Sequence, residues 1–166
     1  YNKEGMKVKE PRFLIRDLVQ HRVHNGVWNF EEYQALFANA EEKIIGESTV
    51  LYLYYYEHAI KNIKYYLGEG VKIIIMLRNP ADRAYSAFQH VSRGFQENDS
   101  FEESLEIEKG RMEREENLTP MVMYKEMGMY YKMVKAYKAS FKNVHVIQSQ
   151  INTVHKSKRI ICNEFI

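Results

Sequence analysis

Residues 73–77, Ile73-Ile74-Ile75-Met76-Leu77, form an unbroken apolar run that ends on Arg78 and meets Asn79-Pro80 at once. A run of this length, closed by a turn signal, predicts a buried strand. Beyond the turn the pattern becomes helical and carries Arg83, Ser86 and His90. A fixed cation at a strand's end, with a hydroxyl on the next helix, suits an anion and specifically a phosphate. Arginine offers a planar fork of donors. Serine adds a short donor, and the helix N-terminus adds partial positive charge. Each hydrogen bond to a charged group contributes about 1.5–3 kcal/mol, so two or three give micromolar-class anchoring. A strand, a turn and a helix also occur in every α/β domain. Arg78 as a surface cation and Ser86 as a core-facing hydroxyl are therefore the plainer alternative.

The rest of the chain alternates in the same way. Residues 1–27 are irregular, with one short helix expected around Ile15-Arg16-Asp17-Leu18. Asn29-Phe30-Glu31-Glu32 reads as a capping-box-like start, and its helix places Tyr33, Leu36 and Phe37 on one face. Lys43-Ile44-Ile45-Gly46 reads as a short strand leading into Glu47. Residues 55–67 predict a helix with Ala59, Ile60, Ile63 and Tyr66 or Leu67 as its apolar stripe, stopped by Gly68 and Gly70. Ser100 with Glu103 is a second capping box, opening an acidic helix toward Glu116 whose mixed charge reads as a solvated face. Residues 124–141 read as one long helix and Val144-His145-Val146-Ile147 as a second buried strand, with His145 half-buried. A short helix is expected at 159–163. Met121, Met123, Met127, Met129 and Met133 read as core or as adaptable cleft wall. This alternation predicts an α/β fold with a central, mostly parallel sheet flanked by helices. Ligands bind such sheets at the carboxyl ends of the strands, where Arg78 and Glu47 both stand by this reading.

Composition narrows the function classes. At 166 residues the chain is long enough for one domain with a real core. No repeat, linker or boundary divides it, so residues 1–166 read as a single domain. A net charge of +2 makes neither nucleic acid nor membrane a default partner. Cys162 is the only cysteine, so no intrachain disulfide forms, which fits a reducing compartment and a cytoplasmic location. No apolar run reaches transmembrane length and no signal-peptide pattern opens the chain. Tyr1 is not a start methionine, so a preceding targeting segment stays open. His21 and His24 are close, but no third ligand follows at metal spacing, and no metal is expected.

Leu77-Arg78-Asn79-Pro80-Ala81-Asp82-Arg83-Ala84-Tyr85-Ser86 resembles the 3′-phosphate-binding segment of sulfotransferases that use 3′-phosphoadenosine-5′-phosphosulfate (PAPS). It is most similar to the heparan-sulfate type and its bacterial relatives. Extended through Ala87-Phe88-Gln89-His90, it resembles the N-sulfotransferase domain of heparan N-deacetylase/N-sulfotransferases. The resemblance implies that Arg78 and Ser86 hold the 3′-phosphate, and that His90 lies near the site of sulfate transfer. Some members of that branch lack the arginine, so Ser86 is the steadier match.

Sulfuryl transfer asks the protein to align donor and acceptor, balance charge and take a proton from the acceptor. Lys9-Glu10-Pro11-Arg12-Phe13 resembles the family's K-E-x-x-F-F segment, which implies Glu10 as the general base and Lys9 at the substrate. Leu14 replaces the final aromatic, and Arg12 stands where histidine or glutamine is frequent. Gly46-Glu47-Ser48-Thr49-Val50-Leu51-Tyr52-Leu53 resembles the G-E-x-S/T-x-x-Y-L segment, with Ser48 in place of a frequent lysine. Glu47 is thus a second carboxylate for the acceptor, or a structural one that accepts backbone N–H bonds. Asn25-Gly26-Val27-Trp28 resembles an element lining the acceptor cleft, with Trp28 either a sugar-stacking platform or core. Tyr124 with Gly128-Met129-Tyr130 resembles a G-x-Y segment, implied to be scaffold beside the cofactor.

The resemblance also implies a loop of the type P-K-x-G-T-T a couple of dozen residues ahead of Lys9, gripping the 5′-phosphosulfate. Only residues 1–8 stand there, and no such loop occurs elsewhere. Gln148-Ser149-Gln150 replaces an expected acidic segment, and the lysine-glycine loop over the adenosine is absent. The expectation is a P-loop-like sulfotransferase fold, truncated at both ends, with a nucleotide cofactor and a small-molecule or glycan acceptor. The alternative is a degenerate relative that binds nucleotide weakly or binds a protein partner. A small kinase is opposed by the lack of G-x-x-x-x-G-K-[ST].

Overall fold

A computed structural model describes residues 8–94, 97–114 and 120–149. The short helix expected near the N-terminus is present, as a 3-10 turn over Phe13–Ile15 that runs into α1 (Arg16–Val19). This irregular segment supplies much of the core. Phe13, Leu14, Ile15, Val19 and Val27 are at most 2% exposed. α2 (Phe30–Ala35) starts where the Asn29 side chain accepts the Glu32 N–H at 2.9 Å. Its Tyr33 stacks on Phe13 with ring centroids 4.5 Å apart.

Residues 43–46 are not a strand. Ile44 and Ile45 are 69% and 51% exposed, and the stretch has no sheet neighbour among the described residues. A β-prone pair becomes a strand only when a neighbour shares its backbone groups. The chain instead enters α3 (Leu51–Tyr54) and α4 (Tyr56–Leu67). Ala59 and Ile63 of α4 face the core, and Leu67 is exposed, so Tyr66 completes the stripe. Gly68 ends the helix at φ 82°, a backbone conformation that glycine adopts without steric penalty.

β1 (Lys72–Leu77) and β2 (Asn143–Gln148) pair in parallel, from Lys72 opposite Asn143 to Leu77 opposite Gln148. The expectation of buried strands holds for one face only. Ile75 packs with Ala59 and Ile63 of α4 and with Tyr137 and Phe141. Ile74 and Met76, on the opposite face, are more than half exposed, and His145 is exposed rather than half-buried.

α5 (Pro80–Arg93) follows β1 directly, its first N–H groups taken by the Asn79 side chain. α6 (Phe101–Arg114) opens on the reciprocal Ser100–Glu103 box. It is not simply solvated, because Ser104, Glu108 and Arg111 are buried. Glu108 accepts the backbone N–H groups of Lys125 and Glu126 at 2.7 and 3.0 Å. Arg111 bonds Glu97 at 2.7 Å and Asp99 at 3.1 Å. Burial alone would raise the Glu97 carboxyl, but the Arg111 guanidinium and the Tyr124 hydroxyl outweigh it and hold it at about 2.

The long helix expected over 124–141 begins only at Tyr130, as α7 (Tyr130–Ser140), after 3-10 turns at Pro120–Val122 and Glu126–Gly128. Glu108 takes the Lys125 and Glu126 N–H groups, so no continuous α-helical ladder runs through them. Gly128 lies so near Pro80 that a Cβ there would sit 3.2 Å from the proline's Cβ. Met123, Met127 and Met133 are core, as expected, whereas Met129 is 71% exposed. The helix expected at 159–163, and Cys162, lie outside the described residues. Among the described residues no helix is long and apolar enough to cross a membrane, and no group of side chains is set to hold a metal ion.

Candidate functional site

Three sequence segments meet around Arg12, whose backbone is left-handed at φ 57°. For a non-glycine residue that conformation costs about 1–3 kcal/mol, and it persists because the surroundings hold it. The Arg12 N–H donates to Thr49 Oγ1 at 3.3 Å. Its Nη2 donates to Glu10 Oε2 at 3.1 Å, and its Nη1 to the Asn25 carbonyl. The Val27 N–H donates to the Pro11 carbonyl at 2.8 Å. Glu10, the 25–28 segment and the loop after Glu47 are thereby brought together. Trp28 is half-buried against the core, its ring lying over Gly26, where a Cβ would approach it to 2.3 Å. Lys9 is exposed beside Glu10.

The two carboxylates differ in their bonding. Glu10 gives one oxygen to Arg12, and its Oε1 makes no hydrogen bond among the described residues. Glu47 is fully engaged. Its Oε1 accepts from the hydroxyls of Tyr33 at 3.0 Å and Tyr52 at 2.8 Å, and its Oε2 from Thr49 at 3.2 Å. These are side-chain hydroxyls, not the backbone N–H groups expected from sequence. Burial raises the Glu47 carboxyl, the three hydroxyls pull it down, and the nearby Glu10 charge raises it again, for a net upward shift. Burial, with the Glu47 charge, pushes both tyrosines up as well.

The second cluster lies at the carboxyl end of β1. Arg78 is half-buried, and its Nε is buried without a hydrogen-bond partner. Ser86 and His90 are exposed one turn apart on α5. Arg83 turns inward and donates from Nη2 to the Tyr124 carbonyl, leaving its Nε also buried and unpartnered. Burial pushes the Tyr130 hydroxyl up, and the nearby Arg83 and Arg78 pull it partly back. His90 makes no hydrogen bond or ion pair with Glu10 or Glu47 among the described residues.

Helices α3 and α7 bridge the clusters. Tyr137 of α7 donates to the Tyr52 carbonyl at 2.8 Å, and Tyr54 donates to Glu126 at 2.8 Å. Between Tyr130 and Tyr137 lie two turns of helix, about 10 Å. Sequence reasoning missed Arg12, Tyr33 and Tyr52 as partners of the carboxylates. The first was visible only as a departure from a motif, the others as aromatic members of helix faces.

An arginine with an orphaned Nε at the end of a strand, followed by a helix that exposes a serine hydroxyl, fits a phosphate, and a carboxylate with one oxygen unbonded among the described residues fits a proton acceptor. No family model matches the chain, and no curated protein matches it. Among solved structures the chain is similar to a sulfotransferase from Alicyclobacillus acidocaldarius, at 31% identity and a TM-score of 0.70. The match covers 84% of this chain, which spans 60% of the length of that structure. The chain thus has a mixed α/β fold, with a small parallel sheet and helices, matching that of a bacterial sulfotransferase.

Proposed function

We propose that this chain carries acceptor and nucleotide sites of a PAPS-dependent sulfotransferase of the heparan-sulfate type, acting on a hydroxyl or amine, with carbohydrates among the acceptors to test. When bound, PAPS supplies a sulfuryl group activated by its phosphate leaving group. Arg78 and Ser86 hold the 3′-phosphate, for which the buried, unpartnered Arg78 Nε has an open donor. Glu10 takes the acceptor's proton at Oε1, while Arg12 fixes the other oxygen. Glu47, with both oxygens accepting from hydroxyls, holds the loop through Thr49 and Arg12 and positions Glu10 rather than acting as the base. Trp28 and Lys9 flank the acceptor side, and His90 lies on the nucleotide side beside Ser86.

The observation that carries the reading is the unequal bonding of the two carboxylates. One has an oxygen that is unbonded among the described residues, next to a fixed cation, as a general base requires. The test compares sulfate transfer from labelled PAPS by the wild type and by Glu10→Gln over a panel of amine and hydroxyl acceptors, in EDTA. The expected result is transfer by the wild type without metal and a loss of about a hundredfold or more in the variant. Binding of 3′-phosphoadenosine-5′-phosphate, the desulfated product, should stay within twofold of wild type. Undiminished transfer by Glu10→Gln would remove Glu10 as the base. Transfer that requires Mg²⁺ would point to a phosphoryl-transfer enzyme instead.

A further inference from the structure

Gly26 lies between two pinned neighbours. The Asn25 carbonyl accepts from Arg12 Nη1, and the Val27 N–H donates to the Pro11 carbonyl at 2.8 Å. Val27 itself is fully buried in the core, and the Asn29 side chain caps α2 at the Glu32 N–H. The backbone is therefore held on both sides of Gly26 and again just after Trp28. Onto its one bare residue the indole folds back. A Cβ at Gly26 would lie 2.3 Å from Trp28 Cη2, 2.6 Å from Cζ2 and 2.7 Å from Cζ3, far inside the roughly 3.5–4.0 Å of carbon–carbon contact. Gly26 is not left-handed, so the position demands glycine for space and not for conformation. The Arg12 guanidinium that holds Asn25 also holds Glu10, through Nη2 at 3.1 Å. One side chain thus sets the seat of the indole and the carboxylate in a common frame.

Resting on the reading of Glu10 as the base on the acceptor side, we propose that Gly26 is a positioning residue that sets acceptor specificity through Trp28. It seats the indole at a fixed place relative to Glu10, where the indole favours a nucleophile carried on a ring over one carried on an open chain. An aromatic side chain gains most from a partner with a flat face. An aryl group offers one, and so does a pyranose through the C–H groups on one side of its ring. An open-chain amine or alcohol has no such face and gains only its hydrogen bonds. Trp28 is half-buried, so part of the indole remains open to a partner. A methyl group at position 26 lifts the indole from its seat, while the bonds of Arg12 to Glu10 and to the Asn25 carbonyl need no side chain there.

The test is a ligand-detected NMR titration of the full chain with three primary amines: benzylamine, methyl glucosaminide and the open-chain serinol. It is read beside the fluorescence of Trp28, the only tryptophan in the chain. Wild type, Gly26→Ala, Trp28→Leu and the double variant are compared. The wild type should bind at least one ring amine about two- to tenfold more tightly than serinol, with a change in Trp28 emission. Which of the two does so tells an aryl from a pyranose acceptor. Gly26→Ala should lose that preference and shift the ligand-free emission. The double variant should fold and match Trp28→Leu, because without the indole the methyl group meets nothing. A Gly26→Ala chain that keeps the preference or the emission overturns the inference and leaves the acceptor reading standing. Should Gly26→Ala fail to fold, the other two variants decide: a ring preference kept by Trp28→Leu, or a further loss in the double variant, overturns it. Equal binding of all three amines by the wild type does the same. A wild type that binds none of them removes the acceptor reading of Glu10 and Trp28, and this inference with it.

Discussion

Glu10 and Glu47 are both loop glutamates near aromatic residues, and their chemistry diverges only through their partners. Glu47 is surrounded by hydroxyl donors, yet burial and the Glu10 charge leave its carboxyl above the ordinary range. The folded state therefore keeps this proton to a higher pH than the unfolded chain does. The stabilisation is complete below the ordinary glutamate value, about pH 4, and is lost as pH rises through the higher folded value. Glu47→Gln removes that titration. Denaturant midpoints of the two proteins, measured from about pH 4 to about pH 8, should drift against the wild type as pH climbs and then run parallel. A gap that opened toward acid instead would mean that the hydroxyls dominate and hold Glu47 as a favoured carboxylate. Motif reading found both glutamates. It did not find the role of Arg12, because that role depends on a left-handed backbone, which a sequence ordinarily signals with glycine or asparagine.

The strands show what an element can hide from its own sequence. Five apolar residues in a row read as buried on both faces, but among the described residues β1 has one strand neighbour and helices on one side. Nothing within residues 73–77 says which face is covered, since that is decided by α4 and α7, whose contacts are distant in sequence. Adjacent isoleucines should consequently respond very differently to substitution. Ile75, 6% exposed between α4 and α7, should lose about 2–5 kcal/mol on replacement by alanine. Ile74, 54% exposed, should lose under about 1 kcal/mol as Ile74→Ser, which is the scale of strand propensity alone. Urea unfolding of both variants measures this, and equal losses would mean that the bare face is covered in solution. The late start of α7 was hidden for a similar reason. Residues 124–129 have helical spacing, but Glu108 and the Gly128–Pro80 approach draw their backbone elsewhere.

Across the whole molecule, the two clusters sit on opposite ends of a bridge made by α3 and α7, with Tyr137 bonded to the Tyr52 carbonyl. On the proposed reading, a ligand held by Arg78 and Ser86 would tie the end of β1 to α5, and both elements pack into the core. It should therefore raise the stability of the chain as a unit, while leaving Glu10 free to be changed independently. 3′-Phosphoadenosine-5′-phosphate at about a hundred times its dissociation constant adds about 2.7 kcal/mol. In a chain of this size that raises the melting temperature by roughly 5–10 °C. Glu10→Gln should show the same rise as the wild type, and Ser86→Ala at the same ligand concentration a smaller one. AMP, lacking the 3′-phosphate, should move neither protein by more than a fraction of this. If Glu10→Gln instead lost the rise along with Ser86→Ala, the two clusters would be a single binding surface, and Glu10 would be a nucleotide contact rather than a base on the acceptor side.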